Sequence, residues 1–177
     1  MRVLHLPALW NAALIALLWT GIHLGAAYLC LRLPDRFFRP DSPLFRTRGL
    51  ERNGQIYDTL LRVSRWKELL PDGGGLSGRK GFRKKRLESL EPEYLDRFMM
   101  ESARGELTHW LAILPFPVFG LFLPPLAVWL MLLYALLANL PCIIAQRYNR
   151  PRVARYMRLS RERAARAQAP SHPGAPS

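Results

Sequence analysis

Apolar positions along the chain gather into two uninterrupted blocks, residues 8–31 and 111–146, with polar sequence between and after them. The first, ALWNAALIALLWTGIHLGAAYLCL, contains no Asp, Glu, Lys or Arg. A helix of about 24 residues is long enough to cross a bilayer core of roughly 30 Å. The second, LAILPFPVFGLFLPPLAVWLMLLYALLANLPCIIAQ, is equally free of charge but too long for one simple span. Pro124 and Pro125 stand where a helix must break. The pattern therefore predicts a helical hairpin over 105–146, with arms at 105–119 and 125–146. Pro115 and Pro117 make the first arm a bent or re-entrant one.

Between the blocks the pattern shortens. LPDRFFRPDSPLFR, residues 33–46, alternates proline, aromatics and arginine, as expected of a segment on the membrane interface. There Phe37, Phe38 and Phe45 would enter the headgroup boundary, and Arg36, Arg39 and Arg46 would meet lipid phosphates. GQIYDTLLRVSRWKELLPDGGG places Ile56, Leu60 and Val63 at helical spacing and predicts an amphipathic helix ending before Pro71. SLEPEYLDRFMMESARGELTHW predicts another, capped at Ser89 with Pro92 in its first turn, which can run directly into the hairpin. Beyond the second block, RYNRPRVARYMRLSRERAARA is a basic amphipathic segment suited to the interface. QAPSHPGAPS is disordered in composition.

The expected fold class is thus an all-α integral membrane protein. One domain, residues 1–166, would hold an N-terminal transmembrane helix 8–31, a cytoplasmic interfacial segment 32–104, the hairpin 105–146 and a basic interfacial tail 147–166. A disordered tail, 167–177, would follow. The 177 residues leave room for one domain.

Charge adds orientation. Lys and Arg number 26 against 13 Asp and Glu, a net +13. Residues 32–104 carry 17 cations against 11 anions, and the tail from Arg147 carries 8 Arg against Glu162 alone. Three crossings with the N-terminus outside put both basic segments and the C-terminus in the cytoplasm and leave an uncharged turn outside, so the expected location is the cell membrane, multi-pass. A cleaved signal sequence is the competing reading of the N-terminus. The apolar run is long for that role, and Arg32, Arg36 and Arg39 follow it directly, which favours retention. Cys30 and Cys142 both fall in apolar helices and form neither a disulfide framework nor a metal pair.

Within the first helix, Gly21 and Gly25 form a small-xxx-small pair that permits close helix approach, and Asn11 and His23 are expected to face protein. GRKGFRKKR, residues 78–86, lacks the GxxxxGK[ST] pattern of a phosphate-binding loop. Beside membrane helices its cations suit anionic headgroups, a phosphorylated co-substrate or a solvated linker better than nucleic acid, which is not an expected partner.

Chemistry concentrates at ESARGELTHWLAILPFPVFG. Glu106 and His109 are three apart on a helix and share a face at the border of charged and apolar sequence. Such an imidazole can act as general base with the carboxylate orienting it. Alternatively both residues anchor the helix at the interface beside Trp110. One His and one Glu make no zinc site, HExxH is absent, and no metal is expected. In NLPCIIAQRYNRPR, Pro141 withdraws a helix hydrogen bond that Asn139 can compensate. Arg147, Asn149, Arg150 and Arg152 gather at the cytoplasmic mouth, as a phosphate clamp or an ordinary positive-inside anchor.

RLPDRFFRP, RWKELLPDG, ESARGELTHWLAILP and YALLANLPCIIAQRYNRPR, in this order over roughly residues 15–160, resemble the glycosyl-4,4'-diaponeurosporenoate acyltransferase family. The resemblance implies a membrane acyltransferase that moves a fatty acyl group from a thioester, acyl-coenzyme A or acyl carrier protein, to a hydroxyl of a glycosylated isoprenoid or carotenoid. No bound cofactor is implied; the partners are membrane lipids and that glycosylated substrate, and the oligomeric state is open. His109 and Glu106 would be catalytic. Trp66, Lys67, Asn139, Arg147, Asn149, Arg150 and Arg152 would bind substrate, with Asn149, Arg150 or Trp66 stabilising the oxyanion. The GGGLSGRKGFRKKR loop and the long Arg-rich tail depart from the family pattern and bear on the acceptor. A non-enzymatic membrane scaffold, or another enzyme modifying an isoprenoid glycolipid, would use the same segments.

Overall fold

In a computed structural model, which describes residues 7–39, 42–70 and 87–168, the first apolar block is helix α1, Ala8–Arg32. It ends where expected: Leu33 precedes Pro34 and is extended (φ −69°, ψ 138°), the conformation the proline ring imposes on its predecessor. His23 bonds its own helix, Nδ1 lying 2.8 Å from the Trp19 carbonyl. A Cβ at Gly21 or Gly25 would meet nothing within 4 Å, so the GIHLG pair does not bring helices together within this chain.

The segment after α1 departs from the interfacial expectation. Phe38 and Phe45 are buried with Ala103, and only Phe37 of the three aromatics is exposed. A short 3-10 turn, Asp35–Phe38, turns Phe38 inward, and Arg104 lies over its ring while bonding Asp35 and Glu101. Ion pairing thus holds the segment against protein rather than lipid.

The predicted amphipathic helix is divided. A 3-10 turn, Gly49–Gly54, leads into α2, Gln55–Leu61, and α3, Val63–Trp66, followed by a 3-10 turn, Lys67–Leu69. Arg62 between α2 and α3 is left-handed (φ 50°), which interrupts the 3.6-residue period; Val63 is buried while Leu60 is exposed. Gly54 has φ +84°, and a Cβ there would stand 2.9 Å from the Tyr148 carbonyl oxygen. Only glycine brings this turn so close to the following helix backbone.

Helix α4, Pro92–Ile113, begins at its proline and crosses the polar–apolar border without a break. It stops short of the expected first arm, because Pro115 and Pro117 cannot extend it, and Phe116–Leu121 continues as a 3-10 helix. After Pro124, α5 runs from Pro125 to Gln168 as one 44-residue helix with Pro141 and Pro151 inside it. The expected span at 125–146 and the expected tail at 147–166 are therefore one continuous element. Leu, Ala and Arg are all strong helix formers, so the change of composition at Arg147 leaves the backbone helical.

Three clusters hold the helices. Trp19 of α1 meets Ile113, Phe119, Phe122, Ala135 and Ile143 in the apolar half. Phe38, Phe45 and Ala103 form a middle cluster. Leu95, Phe98 and Met99 of α4 pack on Val153 of α5 at the polar end. Each fully buried Phe or Leu contributes about 1.5–3 kcal/mol by leaving water. Outward faces of α1 and α5 present Leu17, Leu24, Trp129, Leu130 and Leu137 to the surroundings. Both helices are long and apolar enough to cross a membrane, and little of either apolar window is buried, unlike the core helix of a soluble fold. The 78–86 loop and the end of the 167–177 tail lie outside the described residues.

Candidate functional site

Antiparallel packing of α4 on α5 sets the site. Ser102 Oγ donates to Gln146 Oε1 at 2.7 Å, and one turn and more deeper His109 comes level with Asn139. Between these levels Glu106 projects from α4 into the base of the polar half of α5.

Glu106 is 1 % exposed and fully engaged. Oε1 accepts from Arg147 Nε at 2.8 Å and, at a long 3.4 Å, from Trp110 Nε1; Oε2 accepts from Arg150. Arg147 also donates to Glu51 at 2.7 Å and to the Leu44 carbonyl at 3.3 Å. Glu51 in turn accepts from Tyr57 Oη at 2.5 Å and from the Arg48 backbone N–H at 2.6 Å. Two carboxylates and two guanidinia thereby form a neutral quartet joining the Gly49–Gly54 turn, α4 and α5. Neutrality matters because an unpaired buried charge is costly.

The quartet tunes its outer members. Burial pushes the Glu51 carboxyl up, but bonds from Tyr57, Arg48 and Arg147 outweigh it and leave the group below its ordinary value. Burial and the bond to Glu51 push the Tyr57 hydroxyl up to about 12. Lys67 is lowered by burial and then by Arg152.

His109 has a partner on α5. Its Nδ1 lies 2.9 Å from Asn139 Oδ1, and Asn139 Nδ2 donates to the Ala135 carbonyl at 2.9 Å. A carbonyl oxygen accepts only, so the amide nitrogen must face Ala135 and the amide oxygen must face the imidazole. Nδ1 consequently donates, and in the neutral ring the lone pair then resides on Nε2, the arrangement a general base requires. Asn139 is 1 % exposed, which fixes this geometry.

The other expected site residues have definite places. Asn139, expected on substrate, orients His109 and returns a bond to Ala135. Glu106, expected to orient the imidazole, neutralises Arg147 and Arg150, which are held by protein carboxylates instead of forming an open phosphate clamp. Of the expected oxyanion donors, Arg150 is on Glu106 and Trp66 Nε1 donates to the Leu61 carbonyl at 2.8 Å. Asn149 Oδ1 accepts from Lys67 Nζ at 3.1 Å, while Lys67 and Arg152 flank the Tyr148 ring. Glu51 and Tyr57 escape sequence reasoning, since nothing local in RTRGLERNGQIY marks a buried carboxylate.

The described residues form an all-helical protein with two helices long and apolar enough to cross a membrane, and an imidazole held by Asn139 beside a neutral ionic cluster. A family model described as glycosyl-4,4'-diaponeurosporenoate acyltransferase matches residues 34–159. Enzymes of that name from Staphylococcus aureus strains bovine RF122 / ET3-1 and USA300 are 32 % identical over 156 residues, covering 88 % of this chain and 93 % of theirs. The strain Newman enzyme is 31 % identical over the same extent. The chain belongs to the glycosyl-4,4'-diaponeurosporenoate acyltransferase family, which makes it an acyltransferase. No solved structure matches it.

Proposed function

We propose that this acyltransferase esterifies a sugar hydroxyl of a glycosylated carotenoid or related isoprenoid, taking the acyl group from a thioester at the cytoplasmic face of the cell membrane. The observation that carries the reading is the Asn139–His109 pair, whose geometry leaves the basic lone pair on Nε2. His109 Nε2 takes the proton of the sugar hydroxyl as its oxygen attacks the thioester carbonyl. Collapse of the tetrahedral intermediate breaks the C–S bond, and the imidazolium returns the proton to the departing thiolate. An ester and a free thiol result, with the imidazole restored. Glu106, Arg147, Arg150 and Glu51 are positioning residues that hold α4 and α5 in register around this pair.

The membrane topology follows the charge. With α1 crossing outward to inward, residues 32–104 and the polar half of α5 are cytoplasmic. Helix α5 from Pro125 to Gln146 rises about 33 Å, so packed antiparallel to α4 it starts on the far side and re-enters toward the cytoplasm. Asn139 lies seven residues before Gln146, so the imidazole sits about 10 Å inside the boundary, where a polyene and its sugar meet.

Acylation in membranes, read by mass spectrometry of extracted glycosylated carotenoids, tests the proposal. Wild type adds one acyl mass; His109→Ala at matched abundance loses about 10²–10⁴-fold in rate. Undiminished transfer by His109→Ala would remove the base from this position. Absence of any acyl product from wild type would favour the scaffold role.

A further inference from the structure

With the membrane boundary at Gln146, as in the proposed topology, the continuity of α5 carries a strongly basic arm away from it. From Arg152 onward, Arg152, Arg155, Arg158, Arg161, Arg163 and Arg166 are all exposed; Glu162, 3.7 Å from Arg158, is the one acidic residue in that stretch of helix, and Asp96 of α4 shares the groove beside it. Arg158 stands 12 residues beyond Gln146, about 18 Å along the helix, and Arg166 about 30 Å. The headgroup layer is only about 5–8 Å thick on each side. Even tilted by 40°, at the steep end of the observed range, the helix keeps Arg161 about 17 Å from the apolar boundary, beyond a screening length of about 8 Å. Packing of Leu95, Phe98 and Met99 on Val153 holds α4 along this stretch and keeps it from folding down at Pro151. A lipid surface is therefore a poor occupant for these arginines.

Between α4 and α5 lies a groove of about 330 Å³. Met99, Ala154 and Met157 form its floor, and Arg158 and Arg161 stand at its lip with Asp96 and Glu162. Methionines adapt to varied apolar partners, and a groove with an apolar floor and charged lip is how helices are bound. The arginines extend over about 21 Å of helix, longer than a single nucleotide headgroup engages.

We propose that the cytoplasmic end of α5, with its groove against α4, docks an acidic acyl carrier protein that delivers the thioester. The inference rests on the acyl-transfer reading and names its donor. Arg152 is about 20 Å above the level of Asn139, so a carrier docked here needs a long flexible tether to bring its thioester to His109. The basic arm attracts an acidic helix electrostatically and sets the encounter rate; the methionine floor seats its apolar side.

The test uses full-length protein in zwitterionic nanodiscs with a glycosylated carotenoid acceptor, and palmitoyl-acyl carrier protein or palmitoyl-coenzyme A as donor. For Arg158→Glu/Arg161→Glu the KM for palmitoyl-acyl carrier protein rises at least tenfold with kcat within about twofold, while kinetics with palmitoyl-coenzyme A stay unchanged. Direct binding of the carrier to wild-type nanodiscs weakens with added salt, and the variant abolishes it. Equal losses with both donors would overturn the proposal in favour of a nucleotide-thioester site. Unchanged carrier kinetics, together with lost binding to anionic vesicles, would overturn it in favour of a lipid surface. Transfer from palmitoyl-coenzyme A alone sinks the docking proposal and leaves acyl transfer standing; transfer from neither donor removes both.

Discussion

Replacing Glu106 with alanine leaves two guanidinia facing each other without the carboxylate between them. Arg150 is 3 % exposed and bonds Glu106 through its Nη2, so it loses its counter-charge where water cannot replace it. Arg147 is less exposed to loss, because its bond to Glu51 at 2.7 Å remains. Breaking a buried pair by removing one partner costs about 3–5 kcal/mol, and the surviving Glu51–Arg147 pair puts this case near the lower figure. For a chain of this length about 3 kcal/mol corresponds to a fall of roughly 6–12 °C in the unfolding midpoint. Thermal unfolding in detergent micelles measures it. Glu106→Gln keeps an acceptor and falls by less. Glu106→Leu/Arg150→Met, which removes both charges and keeps the volume, regains most of the midpoint. A Glu106→Ala midpoint within about 1 °C of wild type would refute the structural role of the quartet. If Glu106→Gln then lost acylation at an unchanged midpoint, the carboxylate would be acting on His109 after all.

Asn139→Ala frees the imidazole to rotate and take either tautomer, so kcat falls about tenfold or more with KM little changed; Asn139→Asp restores part of the rate but moves its pH profile upward, because a carboxylate stabilises the imidazolium. Gly54→Ala meets both a left-handed backbone and the Tyr148 carbonyl at 2.9 Å, and lowers stability by at least about 1–2 kcal/mol in a chemical or thermal unfolding series. The lowered Glu51 carboxyl favours the folded state above the ordinary value of 4.5, and that contribution disappears as pH falls through its folded pKa. Tyr57 gives the opposite limb: its raised hydroxyl stabilises the fold fully below pH 10 and loses that contribution as pH climbs to about 12, a loss that a melting curve of Tyr57→Phe lacks.

What the sequence makes legible here is what local chemistry decides. An uncharged run of helix-spanning length, a proline pair that must turn, and a proline suited to a first helical turn announce α1, the break at Pro124 and the start of α4 without any tertiary information. Alternating Phe and Arg in 33–46 is different, because the same alternation suits a headgroup boundary and a protein surface equally. Arg104, 69 residues from Asp35, decides between them, and no local pattern contains it. The same holds at the site. Glu106 and His109 are adjacent on a helix face, which invites pairing, but each is claimed by α5: the acid by Arg147 and Arg150, the imidazole by Asn139, 30 residues further on. Charge wins this competition. Two buried guanidinia need a carboxylate far more than an imidazole does, whereas an amide oxygen serves an Nδ1–H donor well. Asn139, itself held by the Ala135 carbonyl, fixes the orientation of the imidazole through Nδ1. Both members of the sequence-adjacent pair are thus positioned from α5, so contacts across the two helices, more than spacing along α4, set the geometry of the site.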